Sequence, residues 1–173
     1  MTDIYPQDSK GPILHFRGRV TDTNLMPLPG IHVEIWQADD AGRYDNDNPA
    51  SLPPPTFFRC RGRLTTASDG TFKVRTVVPG NYRVDPGSDW VRVKHLHFKV
   101  YGLGFVPLTT EIELLPDRYA PTDQLFDPKL AAQLESLPRE DDRDAFHAYF
   151  NFVIVRISPI AYARQAARRR LAS

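Results

Sequence analysis

Two histidines separated by a single residue, His95 and His97, are the residues whose spacing most directly suggests chemistry. In a β-strand the side chains of residues i and i+2 point to the same face, so the two imidazoles can converge on one point. Leu96 lies between them and, with Phe98 and Val100, forms an apolar opposite face. The pattern predicts two histidine donors on the polar face of a strand, for which a metal site and a solvated surface are both open interpretations.

Two tyrosines follow glycine-containing turns, Tyr44 after Ala41-Gly42-Arg43 and Tyr82 after Pro79-Gly80-Asn81. Tyrosines at strand ends commonly pack on the core and hydrogen-bond their hydroxyls, so either one alone has a structural explanation. A phenolate is nevertheless a hard anionic donor suited to Fe(III), and a phenol with a pKa near ~10 ionises at neutral pH only beside a strong cation. Two phenolates and two neutral imidazoles would leave a ferric ion with a net charge of about +1.

Apolar and polar residues alternate in short runs separated by Gly, Pro, Asn and Asp, which predicts strands joined by turns. The predicted strands are 14–20, 32–37, 63–66, 71–77, 91–100, 109–115 and 150–156. Short helices are predicted near the carboxyl end, at 127–133, 141–148 and 161–171. Two segments, 39–55 and 117–126, show no periodicity, and long loops of this kind often carry function. The expected fold is all-β, a β-sandwich of two antiparallel sheets with long loops.

A length of 173 residues suits one domain, predicted to span 1–173 with an N-terminal arm at 1–12 and a basic C-terminal tail at 158–173. The 22 basic and 21 acidic residues nearly cancel, so no nucleic-acid partner is expected. Cys60 is the only cysteine, which excludes Cys-rich zinc patterns. With no apolar run near the roughly 20 residues that span a bilayer and no secretory signal at the start, a cytoplasmic protein without a membrane partner is expected.

Several short motifs occur in the order in which a known family has them. They are Gly18-Arg19-Val20-Thr21-Asp22, Val33-Glu34-Ile35-Trp36-Gln37-Ala38, Gly42-Arg43-Tyr44, Gly62-Arg63, Asp69-Gly70, Arg75-Thr76-Val77-Val78-Pro79-Gly80-Asn81-Tyr82, Arg92-Val93-Lys94-His95-Leu96-His97-Phe98 and Leu108-Thr109-Thr110. With these motifs the chain resembles the intradiol ring-cleavage dioxygenases, which include protocatechuate, catechol and hydroxyquinol dioxygenases. No long helical segment precedes its first predicted strand, so its build is closer to that of the protocatechuate enzymes.

The resemblance implies one non-haem ferric iron per chain, held by Tyr44, Tyr82, His95 and His97. It further implies that Tyr82 and His95 are axial ligands and that a solvent-derived hydroxide completes a five-coordinate site. Tyr82 is implied to help remove the protons of the substrate, and Arg92 to face it. The implied reaction cleaves a catechol between its two hydroxyl-bearing carbons with O2, giving a cis,cis-muconate-type dicarboxylate. The implied assembly is a homo-oligomer.

Three further positions are expected near the substrate. Trp36 resembles a tryptophan that walls the family's pocket, although a large aromatic on a strand fits core packing equally well. Val84 stands where the family often has an aromatic residue, and Glu111 where it usually has glutamine, so the substituents of the catechol are not specified. Two alternatives stay open: a non-catalytic β-sandwich binding module, and the same site holding Zn(II) or Cu(II).

Overall fold

The computed structural model describes residues 1–4, 9–44 and 60–164. Nearly all regular structure in these ranges is β. The strands are β1 (Thr2–Asp3), β2 (Ile13–Thr21), β3 (His32–Gln37), β4 (Arg61–Thr65), β5 (Thr71–Val77), β6 (Tyr82–Arg83), β7 (Val91–Arg92), β8 (His95–Tyr101), β9 (Leu108–Leu115), β10 (Ala131–Gln133), β11 (Glu135–Glu140) and β12 (Arg143–Val153). A 3-10 helix spans Pro128–Leu130, and residues 159–164 are α-helical.

The strands form two five-stranded sheets and one small hairpin. The first sheet has the order β1-β5-β2-β12-β11, the second has the order β10-β9-β8-β3-β4, and β6 pairs with β7. Most neighbours are antiparallel, but β1 with β5, β12 with β2 and β10 with β9 are parallel. The all-β, two-sheet prediction is confirmed. The sheets are mixed because long connections return the chain to each sheet in the direction of the strand already there.

Phenylalanines from both sheets fill the space between them. Phe16, Phe72 and Phe152 of the first sheet surround Phe98 of the second, whose ring centroid lies 5.1 Å from that of Phe16 and 4.8 Å from that of Phe152. All four side chains are buried. Because Phe98 faces this core, the odd-numbered residues of β8 must face the other side of the sheet, where the two histidines belong.

The predicted helix at 141–148 is wrong. Asp141 and Asp142 have φ values of 50° and 56°, a left-handed pair that reverses the chain between β11 and β12. Residues from Ala145 to Ala148 then pair with β2, in register from Ile13 to Phe16. Hydrogen bonding to β2 on one side and β11 on the other outweighs the weak helical preference of the local sequence.

Other terminal predictions hold in part. The predicted helix at 127–133 shrinks to the 3-10 turn, because residues 131–133 instead pair with β9. The Asp127 side chain caps this turn by accepting the N–H of Lys129. The predicted helix at 161–171 is helical as far as 164, and its remainder lies outside the described residues.

The arm at 1–12 contributes β1, which pairs with β5. The division into one domain with an arm and a tail stays a prediction. Within the described ranges no helix is long and apolar enough to cross a membrane.

Candidate metal centre

The four predicted donors converge on the outer face of the second sheet. The hydroxyl oxygen of Tyr44 lies 3.1 Å from Nε2 of His97 and 3.3 Å from Nε2 of His95. The two Nε2 atoms are 3.2 Å apart. The Tyr82 ring lies beside them, with its centroid 5.6 Å from that of Tyr44 and 5.8 Å from that of His95.

The two imidazoles are neutral and held in defined orientations. Nδ1 of His95 lies 2.6 Å from the Val93 carbonyl oxygen, which can only accept, so Nδ1 carries the proton and the Nε2 lone pair faces the cluster. His97 is stacked on Trp36, with ring centroids 5.0 Å apart and planes inclined by 8°. Burial lowers the pKa of His95, and it lowers the pKa of His97 to about 3. Both rings therefore offer a free lone pair at neutral pH.

The donor separations fit a small cation. Imidazole nitrogens and anionic oxygens bind first-row metals at about 2.0–2.2 Å, which places neighbouring donors about 3.0–3.4 Å apart around the ion. The observed separations of 3.1–3.3 Å fall in this range. Burial raises the pKa of Tyr44 and of Tyr82 above the usual 10.0, so the phenols need a bound cation to release their protons. Two such phenols with two neutral imidazoles suit ferric iron.

An aspartate holds the turn that carries Tyr44. Oδ1 of Asp39 accepts hydrogen bonds of 2.9 Å from the N–H groups of Ala41 and Arg43, and Oδ2 accepts one from the Arg43 guanidinium. The carbonyl of Asp39 accepts the N–H of Gly80 at 2.8 Å. The turn before Tyr44 is therefore bound directly to the turn that precedes the second tyrosine.

Two glycines let these turns approach each other. Gly42 has a φ of 78°, and a Cβ built there would lie 2.4 Å from the Asn81 carbonyl oxygen. A Cβ on Gly80 would lie 2.4 Å from the Gly42 nitrogen. Backbone contact at this distance is open only to glycine. The glycines of both tyrosine motifs thus explain how Tyr44 and Tyr82 meet.

A bend between β7 and β8 is held by two buried aspartates. Asp123 accepts a 2.8 Å hydrogen bond from the Val93 N–H and a 3.0 Å bond from Nε of Arg92. Asp117 accepts bonds of 3.0 Å from both the N–H and the Nζ of Lys94. The predicted strand 91–100 is therefore interrupted here. Since a regular strand would turn Arg92 away from the first histidine of β8, the bend is what brings both to one site.

Neither aspartate was assigned a role from the sequence. Both lie in the segment 117–126, whose lack of periodicity predicted a functional loop, and that was the one available signal. Burial alone would raise the pKa of Asp123, but the N–H groups of Val93, Trp90 and Leu125 and the Arg92 guanidinium all donate to its carboxylate and hold that pKa below 3.8. Asp123 is thus ionised and fixed in place.

Arg92 is bound by two carboxylates. Its Nε donates to Asp123, and its Nη2 donates to Oε1 of Glu111. Burial by itself would lower the pKa of Arg92, but the neighbouring Glu111 and Asp123 carboxylates outweigh burial and raise it. The other Glu111 oxygen, Oε2, lies 3.9 Å from Nε2 of His95 and 3.7 Å from Nδ1 of His97. Arg92 and Glu111 therefore both lie at the donor cluster.

The two remaining predicted pocket residues differ in position. Trp36 is half-buried and contacts the cluster through its stack on His97. Val84 lies in the connection between β6 and β7, where its N–H donates to the Trp90 carbonyl at 3.1 Å. The structure thus joins Trp36 to the donors, whereas the hydrogen bond described for Val84 is internal to the hairpin.

Comparison with known proteins identifies the family. The family model described as "Dioxygenase" matches residues 2–155. The chain is 32% identical to hydroxyquinol 1,2-dioxygenase from Rhizobium sp. (strain MTP-10005) and 30% identical to catechol 1,2-dioxygenase from Pseudomonas sp. (strain EST1001). Each match covers 69% of this chain, and the matched parts are 43% and 42% of the two relatives. The chain thus spans less than half the length of these relatives.

Solved structures agree with this result. The 3-chlorocatechol 1,2-dioxygenase from Rhodococcus opacus 1CP superposes with a TM-score of 0.78 at 28% identity, covering 90% of this chain and 65% of that one. The dioxygenase domain of a dioxygenase and carbohydrate-binding protein fusion from Streptomyces sp. SirexAA-E superposes with a TM-score of 0.71 at 31% identity, covering 91% and 88%. The matching family model and these relatives show that the chain belongs to the intradiol ring-cleavage dioxygenase family.

Proposed function

We propose that this chain binds one ferric ion through Tyr44, Tyr82, His95 and His97 and cleaves a catecholic ring with dioxygen between its two hydroxyl-bearing carbons, giving a cis,cis-muconate-type dicarboxylate. The observation that carries the proposal is the approach of a phenol and two neutral imidazoles to within 3.1–3.3 Å of one another, with a second phenol beside them. The relatives are named for hydroxyquinol, catechol and chlorocatechol, which supports a catecholic substrate.

Ferric iron bound at this cluster would accept electron density from a chelated catecholate and so make the ring reactive toward dioxygen. The chain must then open a place for the substrate and take its protons. Tyr82 suits both tasks, because its phenolate is a base once ionised and its ring lines a pocket of about 530 Å³ shared with Asn81, Lys94 and Tyr119.

Other residues of the site orient the two imidazoles and balance charge. The Val93 carbonyl fixes the tautomer of His95, and Trp36 fixes the ring plane of His97, so the imidazoles stay in place when Tyr82 moves. Within the described part of the chain, Arg92 uses its Nε and Nη2 donors on carboxylates. Its other N–H groups donate to no residue of the described ranges, so they would be available to meet negative charge that develops on the substrate.

The test combines a visible spectrum with product analysis. The protein is loaded with Fe(III), its absorbance is recorded before and after anaerobic addition of catechol, and the product formed in labelled O2 is identified by mass spectrometry. We expect a ferric-tyrosinate charge-transfer band that shifts on catechol binding, and a muconate containing both atoms of one O2 molecule. Tyr44→Phe and Tyr82→Phe should each alter the band, because each removes one phenolate.

Tyr101→Phe is the matched control. Its hydroxyl donates to Glu34 at 2.8 Å, on the same strand as the histidines but away from the donor cluster, so the band should not change. A colourless protein that binds no iron would favour the interpretation as a non-catalytic binding module. A protein that retains only Zn(II) or Cu(II) would favour the interpretation that the same site holds one of these metals. A yellow semialdehyde product would show cleavage beside the hydroxyls and contradict the intradiol assignment.

The assembly and the cellular location predicted from the sequence stay predictions. A homo-oligomer is the expectation, and light scattering after size-exclusion chromatography measures it. A mass equal to one chain would contradict it.

A further inference from the structure

Glu111 stands beside both histidines through the pairing of β8 with β9. The register places His97 opposite Glu111 and His95 opposite Glu113, so all four side chains start on the same face of the sheet. Oε1 of Glu111 is bound by Arg92. Oε2 lies 3.7 Å from Nδ1 of His97 and 3.9 Å from Nε2 of His95, too far for hydrogen bonds. This oxygen therefore faces the imidazoles without a hydrogen bond to them.

Among the residues that the structure describes, the side chains in contact with Glu111 do not balance the charges around it. Arg92 supplies one positive charge to two carboxylates, Glu111 and Asp123, whose side chains are 19% and 0% exposed. The neighbouring cation, Lys94, pairs with the buried carboxylate of Asp117. The group of Arg92, Glu111 and Asp123 thus carries one net negative charge in a largely buried place, which is costly without a cation.

We propose that Glu111 is itself a metal ligand, and that His95, His97 and Glu111 form a two-histidine, one-carboxylate face able to hold a divalent first-row cation such as Mn(II), Co(II) or Fe(II). One ligand atom from each of the three residues already lies within 4.8 Å of the others. Two imidazoles with one carboxylate are a donor set that iron(II) and related ions accept. The inference rests on the metal site of the proposed function but does not require ring cleavage.

Ligation by Glu111 requires a small movement of its Oε2 toward the imidazoles. Donors around a first-row ion are about 3.0–3.4 Å apart, so Oε2 must approach Nε2 of His95, which is 3.9 Å away, by roughly 0.5 Å. If ferric iron were bound, a carboxylate added to two phenolates would bring the formal charge of the centre to about zero, and Glu111 would then make the ion a weaker electron acceptor.

The test measures divalent metal affinity in the metal-free full chain. Mn(II) is titrated under anaerobic conditions and free Mn(II) is followed by its EPR signal; Co(II) is titrated in parallel and followed by its visible ligand-field bands. Glu111→Gln, which keeps the size of the side chain, should weaken Mn(II) binding by at least about tenfold and change the Co(II) bands. Glu113→Gln is the matched control, because Glu113 is a buried carboxylate on the same face but outside the three-residue group.

Glu111→Asp separates ligation from simple charge attraction. Aspartate keeps the negative charge but withdraws the carboxylate by one methylene, so direct ligation predicts weaker Mn(II) binding, whereas charge attraction alone predicts wild-type affinity. Wild-type affinity in Glu111→Gln or in Glu111→Asp would overturn the proposal. If Glu111→Gln weakens Mn(II) binding no more than Glu113→Gln does, the proposal is also overturned.

The outcome is independent of the proposed function. If the Glu111 variants bind Mn(II) normally while the Fe(III)-loaded protein keeps its tyrosinate band and forms muconate, the inference about Glu111 fails and the proposed function stands. If Glu111→Gln loses Mn(II) affinity but the Fe(III)-loaded wild type shows no tyrosinate band, the inference stands and the ferric assignment fails. Near-UV circular dichroism of each metal-free variant confirms that the fold is retained.

Discussion

Replacing Gly42 with alanine tests whether contact between the two tyrosine-bearing turns positions the metal donors. Gly42 has a φ of +78°, and an added Cβ would lie 2.4 Å from the Asn81 carbonyl oxygen and 3.3 Å from Cβ of Tyr82. Gly30 has a similar φ of +68°, but an added Cβ there meets no atom within 4 Å. Gly30→Ala is therefore a matched control that carries the backbone strain without the collision.

The expected loss of stability differs between the two variants. An alanine in the left-handed conformation costs roughly 1–2 kcal/mol, and the reduced freedom of the unfolded chain offsets about 0.4–1 kcal/mol of that. Gly30→Ala should therefore lower the free energy of unfolding by about 1 kcal/mol. At Gly42 the facing carbonyl must also move until the contact exceeds 3.0 Å, and such overpacking costs about 1–3 kcal/mol more. Gly42→Ala should lose about 2–4 kcal/mol.

Urea unfolding of the metal-free variants measures this difference, and the visible spectrum of the Fe(III)-loaded protein reports its effect on the donors. Gly30→Ala should keep the wild-type band. Gly42→Ala should shift or weaken it, because displacement of Asn81 moves the adjoining Tyr82. Equal stability losses together with identical spectra would refute the idea that this close approach sets the positions of the tyrosines.

Three other changes probe the supporting residues. Asp123→Asn should lower the free energy of unfolding by about 1–3 kcal/mol at about pH 7. Because the pKa of Asp123 is depressed, its contribution to stability is present above pH 3.8 and is lost as the pH falls. Urea unfolding at about pH 3 should therefore show a smaller difference in stability between wild type and variant, and an unchanged difference would contradict this. Arg92→Gln should retain iron but lower turnover by on the order of 10²–10³, as steady-state kinetics with an iron assay would show, and parent-level turnover would remove Arg92 from the mechanism. Phe152→Ala should cost about 3–5 kcal/mol in urea unfolding, against less than about 1 kcal/mol for Tyr149→Ala on the exposed face of the same strand, and similar losses would contradict the described core.

The predictable part of the fold is the part whose residues alternate. In β2 and β8 the apolar residues recur at every second position because one face meets the phenylalanine core, so the strands and the direction of the histidines followed from the pattern. These inferences depend on geometry local to one strand. The bend before His95 did not follow from the alternation, which predicts one strand over 91–100; it is held by Asp117 and Asp123.

Contacts between distant parts of the chain could not be predicted in this way. The 141–148 segment has acidic residues followed by alanines, which is typical of a helix start, and only pairing with β2 makes it a strand. The same holds for Asp117 and Asp123, whose role comes from N–H groups of another segment brought near by the fold. Asp141-Asp142 was a missed local signal, because paired aspartates tolerate the left-handed turn of a hairpin.

The position of β12 in the first sheet has a consequence for biosynthesis. β12 follows the other described strands in sequence but lies between β2 and β11 in the sheet, in register from Ala145 opposite Ile13 to Val153 opposite Thr21. Paired residues on the order of 130 positions apart give high contact order and slow folding. A nascent chain on the ribosome therefore keeps the edge of β2 unpaired until residue 153 has emerged, a period of exposure to edge-to-edge aggregation. Truncation within β12 would remove the interior of a sheet and not its margin.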